Sequence, residues 1–457
     1  MTRRRLQGLV VVPVVAVAVA CGGGSSGGSQ PSGGHDGGTS DGSSSSSGSS
    51  GGSSGSASSS GGGSSGSSSG GGDGGGLGEG GSSSGGDGSV PSGANVTPVI
   101  VNAGPPGTGS VDVPFVSVTF CVPGTSTCTT IDSISVDTGS SGLRVIASVL
   151  PSGFTLPQVN ATTGSPLAEC MQYADGYTWG SVRSADVKIG GEMAANIPVQ
   201  VIGDPAFGTV PSDCSSSGPS EDTVADFGGN GIIGINQIIP DCGSYCSDTQ
   251  NVGTGGYYSC AGTTCTAVAV ADANQVANPI ASFATDNNGA VLEFPSVPAT
   301  GAATLAGSLV FGIGTQSNNP LGSATVQTVD ADGNFTTIFN GKTLTQSYVD
   351  SGTNSFAFND TSVTQCTGQL LGWYCPTSPV SLSAQNKGIN GVTTTVSFTV
   401  ADTETLFNTP DTAFDDLAGT GDNGSFAWGF PFFIGRNVFV GLDGATTPGG
   451  KGPYVAY

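Results

Sequence analysis

Short apolar runs separated by turn-forming residues recur along the chain from Ala94 onward. Val, Ile, Thr and Phe dominate the runs, and Gly, Pro, Asn and Asp dominate the intervals, which is typical of strands joined by tight turns. Helical periodicity is rare, and residues 274–285 are the one fair candidate for a short helix. The pattern therefore predicts an all-β fold. The clearest predicted strands are residues 113–120, 130–136, 185–189, 197–202, 308–313 and 394–400.

The first 92 residues have a different composition. Three arginines at positions 3–5 precede an apolar run of mostly Val and Ala, and the run ends just before Cys21. This order is typical of an export signal. Ordinary signal peptides and membrane anchors are the alternatives, although the run is short for a bilayer, which needs about 20 apolar residues. The small residues before the cysteine resemble the lipobox of bacterial lipoproteins, which implies a signal peptide over 1–20 and a lipid on Cys21.

Residues 21–92 follow the signal as a tract that is almost entirely Gly and Ser. Such a tract has too little apolar surface to offset its chain entropy, so we expect a flexible tether. Gly22 stands where an aspartate would retain a lipoprotein at an inner membrane. The expected location is therefore the outer membrane or the surface of a bacterial cell, with the lipid as the only contact to the membrane.

Eleven cysteines are present, and ten remain once Cys21 is set aside. An even number in an exported chain predicts five disulfides. The ten candidates are Cys121, Cys128, Cys170, Cys214, Cys242, Cys246, Cys260, Cys265, Cys366 and Cys375.

Spacing suggests some of the disulfide partners. The expected pairs are Cys121–Cys128, Cys366–Cys375 and, by elimination, Cys170–Cys214. The four cysteines between positions 242 and 265 can pair either as neighbours or as a nested hairpin. A zinc site is the rival interpretation for these four, but their spacings fit it imperfectly and export disfavours it.

Acidic residues outnumber basic ones, with 33 Asp and Glu against 10 Lys and Arg and a formal net charge of −23. This charge argues against nucleic acid as a partner and against direct docking on anionic lipid. The single histidine, His35, lies in the tether. The rest of the chain can therefore form no Ser-His-Asp triad, no Cys-His dyad and no histidine-ligated metal site.

One short motif occurs twice, each time at the end of a predicted strand. The copies are Asp137-Thr138-Gly139-Ser140 and Asp350-Ser351-Gly352-Thr353. Gly139 and Gly352 have no Cβ, so backbone N–H groups can approach the carboxylates. A single Asp-x-Gly is usually an ordinary turn. Two carboxyls held about 3 Å apart share one proton, so one can accept a proton from water while the other donates to a carbonyl oxygen.

With these motifs in this order, the chain resembles a pepsin-like aspartic peptidase. Asp137–Val145 is similar to the first active-site loop of that family, and Asp350–Thr353 to the second. Tyr173–Gly191 follows the pattern of the flap hairpin, with Tyr173 as the flap tyrosine and Gly176 in the turn. Other segments similar to family strands are 230–235, 307–314 and 432–437.

The resemblance implies an architecture and roles for loop residues. We expect two related β-barrel lobes with a cleft between them, over residues 93–315 and 316–457. Ser140 and Thr353 would donate hydrogen bonds to the outer carboxylate oxygens. Thr138 and Ser351 would form crossed hydrogen bonds between the loops. Ile233-Gly234 and Ile434-Gly435 would brace the two loops from behind.

The chain departs from the family pattern at several places. Gly142 and Arg144 stand where the family usually has Asn and Trp. Arg144 would lower the pKa of the acids or favour an acidic substrate side chain if it is near them, or it is a solvated strand residue. Residues 241–266 are a cysteine-rich insert, expected as a surface loop that shapes the cleft entrance. Arg436 is expected to be paired or solvated. The three tryptophans, expected in the core or the cleft wall, are Trp179, Trp373 and Trp428.

Together these features predict an aspartic endopeptidase of the cell envelope. Water held between Asp137 and Asp350 would attack the peptide carbonyl without a covalent enzyme adduct, a metal or an organic cofactor. The expected partner is a peptide or unfolded protein, and the expected state is a monomer. A catalytically idle surface lipoprotein that binds peptides or proteins is the main alternative, and a purely structural lipoprotein is the third.

Overall fold

Short β-strands make up most of the computed structural model, which describes residues 93–250 and 256–457. The expected signal peptide over 1–20, the lipid-bearing Cys21 and the tether over 21–92 lie outside the described residues. The first twelve strands are β1 (Val96–Val101), β2 (Pro114–Cys121), β3 (Cys128–Asp137), β4 (Ser141–Ile146), β5 (Leu167–Gln172), β6 (Tyr177–Ile189), β7 (Glu192–Ile202), β8 (Gly231–Ile235), β9 (Tyr257–Ala261), β10 (Thr264–Ala267), β11 (Gly289–Glu293) and β12 (Leu305–Phe311).

Twelve more strands follow in the second half of the described chain. They are β13 (Val326–Thr328), β14 (Phe335–Phe339), β15 (Lys342–Val349), β16 (Phe356–Ala357), β17 (Val380–Lys387), β18 (Thr393–Val400), β19 (Ala418–Gly419), β20 (Ala427–Trp428), β21 (Asn437–Gly441), β22 (Thr446–Thr447), β23 (Gly450–Lys451) and β24 (Tyr454–Ala456). The all-β prediction is confirmed, and each strand predicted from the sequence overlaps one of these.

Helices are few and short in the described residues, and none is long and apolar enough to cross a membrane. The α-helices are α1 (Ser212–Ser215), α2 (Val224–Phe227), α3 (Gly243–Ser247) and α4 (Thr403–Phe407). The 3-10 turns are Ala147–Val149, Pro205–Phe207, Asp272–Asn274, Pro279–Ser282, Gly368–Leu370 and Phe430–Phe432.

The helix predicted over residues 274–285 is wrong. That segment contains the 3-10 turn Pro279–Ser282, and the Asn278 side chain accepts a 3.0 Å hydrogen bond from the N–H of Ile280. Proline lacks an N–H and restricts the residue before it to extended backbone, so a helix cannot continue through Pro279.

Two sheets carry most of the strands. The larger has fifteen, in the order β10-β9-β5-β6-β7-β4-β8-β3-β2-β1-β12-β11-β21-β24-β13, and β6 also pairs with β2. The second has seven, in the order β18-β17-β14-β15-β20-β16-β19. Strand β21 pairs antiparallel with β11, from Gly289 opposite Gly441 to Glu293 opposite Asn437. The larger sheet therefore includes strands from both sides of the expected boundary at residues 315 and 316.

The core consists of apolar side chains from both sheets. Trp179, Trp373 and Trp428 are all buried in it, as expected. The aromatic part is concentrated in the second half, where Phe398 lies 5.0 Å from Phe356 and 5.6 Å from Trp428 between ring centroids. Such pairs stabilise a core beyond the area they bury.

All ten expected cysteines form disulfides. The pairs are Cys121–Cys128, Cys170–Cys214, Cys242–Cys246, Cys260–Cys265 and Cys366–Cys375. The three pairs expected from spacing are confirmed. The four cysteines of the insert pair as neighbours, which rules out the nested alternative and leaves no thiolate for zinc.

Candidate active site

The first aspartate loop begins where β3 ends. Strand β3 pairs in parallel with β8, which places Asp137 opposite Gly234. Asp137 is buried, with only 4% of the residue exposed. Its Oδ1 accepts a 2.7 Å hydrogen bond from the N–H of Gly139, and its Oδ2 accepts one from the hydroxyl of Ser140. These donors fix the orientation of the carboxylate.

The second aspartate loop repeats this arrangement directly after β15. Asp350 is 0% exposed. Its Oδ1 accepts a 2.8 Å hydrogen bond from the N–H of Gly352, and its Oδ2 accepts one of 2.7 Å from the hydroxyl of Thr353. The N–H of Asp350 itself donates to the carbonyl of Trp428 at 3.0 Å. Each donor thus has the same position relative to its aspartate as in the first loop.

Crossed hydrogen bonds join the two loops. The N–H of Ser351 donates to the hydroxyl of Thr138 at 2.9 Å, and the N–H of Thr138 donates to the hydroxyl of Ser351 at 3.1 Å. Each hydroxyl then donates to a carbonyl of the opposite strand, Thr138 to Val349 at 3.2 Å and Ser351 to Val136 at 2.8 Å. Each of the two hydroxyls therefore donates one hydrogen bond and accepts one hydrogen bond across the junction between the loops.

The two carboxyls lie side by side. A Cβ added to Gly139 would lie 2.6 Å from the Cγ of Asp350, and one added to Gly352 would lie 2.6 Å from Oδ1 of Asp137. Each loop glycine therefore contacts the carboxyl of the other loop, and any larger residue would displace it. Close approach of the opposite carboxyl, as well as of backbone N–H groups, requires glycine at both positions.

Burial and the neighbouring acid change the pKa of Asp350. Loss of hydration raises the pKa of Asp350 well above its ordinary value, and the charge and hydrogen bond of Asp137 raise it further. The hydrogen bonds from Thr353 and Gly352 act in the opposite direction and are outweighed. Two carboxyls in such contact bind one proton between them.

The strand behind the second loop is not the one expected. Residues 433–435 form no strand, and the Phe430–Phe432 turn precedes them. Instead β20 pairs in parallel with β15, placing Trp428 opposite Val349. Gly429 then lies against the loop as Gly234 does in the first half, because an added Cβ would lie 2.6 Å from the Thr353 carbonyl oxygen. The expectation for Ile434 and Gly435 is therefore wrong.

Tyr173 lies in the turn between β5 and β6. Its N–H donates to the carbonyl of Gly176 at 2.8 Å, which closes the turn, and its ring packs edge-on against Phe227 at 6.1 Å. Its hydroxyl is buried and has no hydrogen-bond partner in the described residues. Burial raises the pKa of Tyr173, against the opposing charge of Arg144, and the charge of Asp137 adds to the rise. The tyrosine hydroxyl therefore lies within electrostatic reach of the first carboxyl.

Arg144 is not solvated, since its residue is 0% exposed. Its Nη2 lies 2.6 Å from Glu169 Oε1 and 2.7 Å from Asp241 Oδ2, and its Nη1 donates to the carbonyl of Ser141 at 2.7 Å. Two buried carboxyls thus bind the guanidinium, so Arg144 is not available to select an acidic substrate side chain. Asp241 also accepts a 2.7 Å hydrogen bond from Tyr257. We call Arg144, Glu169, Asp241 and Tyr257 the buried ion cluster.

Arg436, expected to be paired or solvated, is half-buried. Its Nη1 donates to the carbonyl of Phe432 at 2.8 Å, and its guanidinium carbon lies 4.9 Å from the centre of the Phe432 ring. It makes no ion pair closer than 4.0 Å with a described residue. Its partners are therefore a backbone carbonyl and a ring.

The cysteine-rich insert is part of the larger sheet. Strands β9 and β10 form a hairpin, and β9 pairs with β5, so the insert extends the sheet that carries Tyr173. Between the insert and the first aspartate loop lies a cavity of about 510 Å³. Its lining includes Gly139 and Ser140 from the loop, Asp241 and Tyr245 from the insert, and Asp443 from the second half.

Glu169, Asp241 and Tyr257 were not predicted as parts of the site. They lie 25 or more residues from Arg144, and nothing in their local sequence marks them. The one usable signal is that Arg144 lies between apolar residues in its strand. A cation buried there requires acidic partners to compensate its charge. No group of three or more His, Cys, Asp or Glu side chains in the described residues is arranged to hold a metal ion.

Comparison with known families adds one match. A family model described as a protein of unknown function (DUF3443) matches residues 91–457. The sequence matches no curated protein.

Proposed function

The chain belongs to the family DUF3443, and because that description assigns no activity, we propose from the paired aspartate loops that it is an aspartic endopeptidase. The observation that carries the proposal is the pairing of Asp137 and Asp350. Each accepts hydrogen bonds from the same two positions of its loop and contacts the glycine of the other loop, and burial beside Asp137 raises the pKa of Asp350. That arrangement suits activation of a water molecule.

The proposed fold is the bilobal one of pepsin-like peptidases. Its support is the repetition of one local plan in both halves of the chain. In each half an aspartate ends a strand, a second strand runs parallel behind it, and a glycine of that second strand or just after it touches the loop. The lobes would correspond to residues 93–315 and 316–457, with strands β13, β21 and β24 shared with the larger sheet.

The proposed reaction uses the shared proton. Water attacks the peptide carbonyl, Asp137 accepts the proton that the water loses, and Asp350 donates its proton to the carbonyl oxygen. The C–N bond of the resulting gem-diol then breaks. Asp137 passes its proton to the leaving amine, and Asp350 recovers one from a hydroxyl, which restores the starting state. Tyr173, on the adjoining hairpin, would close over the peptide and exclude bulk water.

The proposed setting is the bacterial cell envelope, with the chain exported and held by a lipid on Cys21. Five disulfides support an oxidising compartment. The proposed partners are unfolded proteins or peptides, and the proposed state is a monomer.

Hydrolysis of a reduced, alkylated protein by the purified full chain, assayed across about pH 3 to 8, tests the proposal. We expect a bell-shaped profile. Activity should fall on the alkaline side as Asp350 loses its proton, since its pKa lies above the ordinary value. Asp137→Asn and Asp350→Asn should each lower kcat/KM by about 10³-fold or more, as for loss of a catalytic acid or base.

The matched control is Asp132→Asn, because Asp132 is an exposed aspartate on the same strand as Asp137. It should retain full activity. No cleavage at any pH by the folded protein contradicts the proposal. If that inactive protein binds a statine-type peptide inhibitor, the alternative of an idle peptide-binding lipoprotein replaces the peptidase.

A further inference from the structure

A second cavity, of about 660 Å³, lies in the second half of the chain. It shares no lining residue with the cavity beside the aspartate loops. Strand β18, helix α4 and the residues Val297, Ala299 and Thr300 contribute to its walls. Its volume is within the range of about 300–1,000 Å³ that small-molecule sites occupy.

Buried apolar side chains form part of the lining of this second cavity. Phe356, Phe398, Leu406, Pro431 and Ile434 all line it and are all classed among the buried residues. Covering apolar surface that lines a cavity with an apolar group lowers the free energy, because it removes that surface from water. These side chains therefore suit the hydrocarbon part of a ligand.

Asp416 is the unusual polar group of the second cavity. The residue is 6% exposed, and no side chain in the described residues donates a hydrogen bond to its carboxyl. Burial raises the pKa of Asp416 to about 7, and the charge of Asp415 contributes. The hydrogen bond that its carboxyl accepts comes from its own backbone N–H, and a buried carboxylate is costly unless further donors or a cation compensate its charge.

Arg436 does not compensate the charge of Asp416. Arg436 also lines the cavity, but it donates to the carbonyl of Phe432. Its charge acts on Asp415, whose pKa it lowers against the larger effect of burial. The lining holds three acids, Asp402, Asp415 and Asp416, and one base. Its charge therefore favours a cationic ligand.

We propose that the second cavity binds an organic ammonium ion with an apolar body. The ammonium group donates hydrogen bonds to the Asp416 carboxylate, and the hydrocarbon covers Phe356, Phe398 and Leu406. This binding is independent of the aspartate dyad, and it goes beyond peptide hydrolysis.

Calorimetric titration of the full chain with octylammonium tests the proposal. Octanoate and octanol have the same chain length and a negative or absent charge, so they separate the ammonium from the hydrocarbon. We expect saturable binding of one octylammonium, with octanoate at least tenfold weaker. Asp416→Asn should raise the Kd for octylammonium at least tenfold. Glu404→Gln should change it by less than twofold, because Glu404 is exposed on α4 and outside the lining.

Two further variants keep the result decisive. Thr377→Trp places a bulky ring at an exposed position of the lining, so it should block binding even if Asp416→Asn does not fold. Asp350→Asn should leave octylammonium binding unchanged, which separates this cavity from the dyad. The proposal is overturned by absence of saturable octylammonium binding, by octanoate binding more tightly, or by an Asp416→Asn protein with unaltered Kd.

Discussion

The two aspartate loops have the same hydrogen-bond plan but are supported in different ways. Behind the first loop lies the five-residue strand β8, with the buried ion cluster alongside. Behind the second lies the two-residue strand β20, and Trp428 on that strand stacks on Phe426 at 4.2 Å. Four of the five disulfides also lie in the first half. Charge and covalent links thus support one loop, and aromatic packing supports the other.

The difference shows which features the site requires. The donors to each carboxyl, the crossed hydrogen bonds and the two contact glycines are common to both halves. The residues that support the loops from behind differ between the halves. They can therefore vary, as long as they hold the supporting strand in place. Changes to the shared features should therefore affect activity, and changes to the supports should affect stability in ways that differ between the halves.

The largest loss of activity should come from replacing Gly139 or Gly352, the two glycines that contact the carboxyl of the opposite loop. Gly139→Ala and Gly352→Ala should each lower kcat/KM by about 10³-fold, because the new methyl group displaces the carboxyl of the opposite loop. Gly208→Ala is the control, since its added Cβ would meet a single atom at 3.8 Å. Steady-state kinetics measures all three. Clearly unequal losses for the two loop variants would show that the loops are not equivalent.

The next effect concerns the buried ion cluster. Arg144→Met leaves Glu169 and Asp241 buried without their cation, so it should lower the free energy of unfolding by about 3–5 kcal/mol. Adding Glu169→Gln and Asp241→Asn should recover most of that loss. Arg183→Met removes a partly exposed pair, with side chains 18% and 11% exposed, and should cost about 1 kcal/mol or less. Equal losses in urea unfolding would contradict the role given to burial.

Disulfides should show a smaller difference between the halves. Cys170 and Cys214 are 44 residues apart and Cys366 and Cys375 are 9 apart. From loop-closure entropy, the double serine variant of the first pair should lose about 4 kcal/mol and that of the second about 2.6 kcal/mol. Thermal unfolding of both variants under the same conditions measures the difference, and a larger loss from the shorter loop would refute the entropic account.

The last expected effect is a pH dependence of stability. Burial and Asp175 raise the pKa of Glu221 to about 8 from an ordinary value of 4.5. The folded state thus binds this proton more tightly than the unfolded state. Its contribution is complete below about pH 4.5 and is lost as the pH rises through about 8. The melting temperature should therefore decrease as the pH rises from about 5 to about 8, the range between the two pKa values. Glu221→Gln should make this decrease smaller. A profile identical to wild type would exclude Glu221.

Much of the site could be predicted because its signals are local. An aspartate, a hydroxyl and a glycine after a strand are visible in four letters at positions 137–140 and again at 350–353. Disulfide pairs at short spacing are equally local. The all-β class followed from many short runs, each of which is a separate observation.

The rest depends on contacts between distant residues. Arg144 looks like either a solvated or a substrate-facing cation until Glu169 and Asp241 fold around it. The strand behind the second loop has two candidates with the same apolar-apolar-glycine pattern, ending at Gly429 and Gly435. Only the pairing of Trp428 with Val349 decides between them.

The crossed hydrogen bonds of Thr138 and Ser351 also have a consequence for folding kinetics. They join residues 213 positions apart, and contacts of such long sequence separation tend to form late. A chain that has completed only one of its aspartate loops therefore contains a lone carboxyl and no shared proton. Under the proposed peptidase function, this order of events would delay activity until folding is complete, and unfolded copies of the same chain would not be cut by their partly folded neighbours.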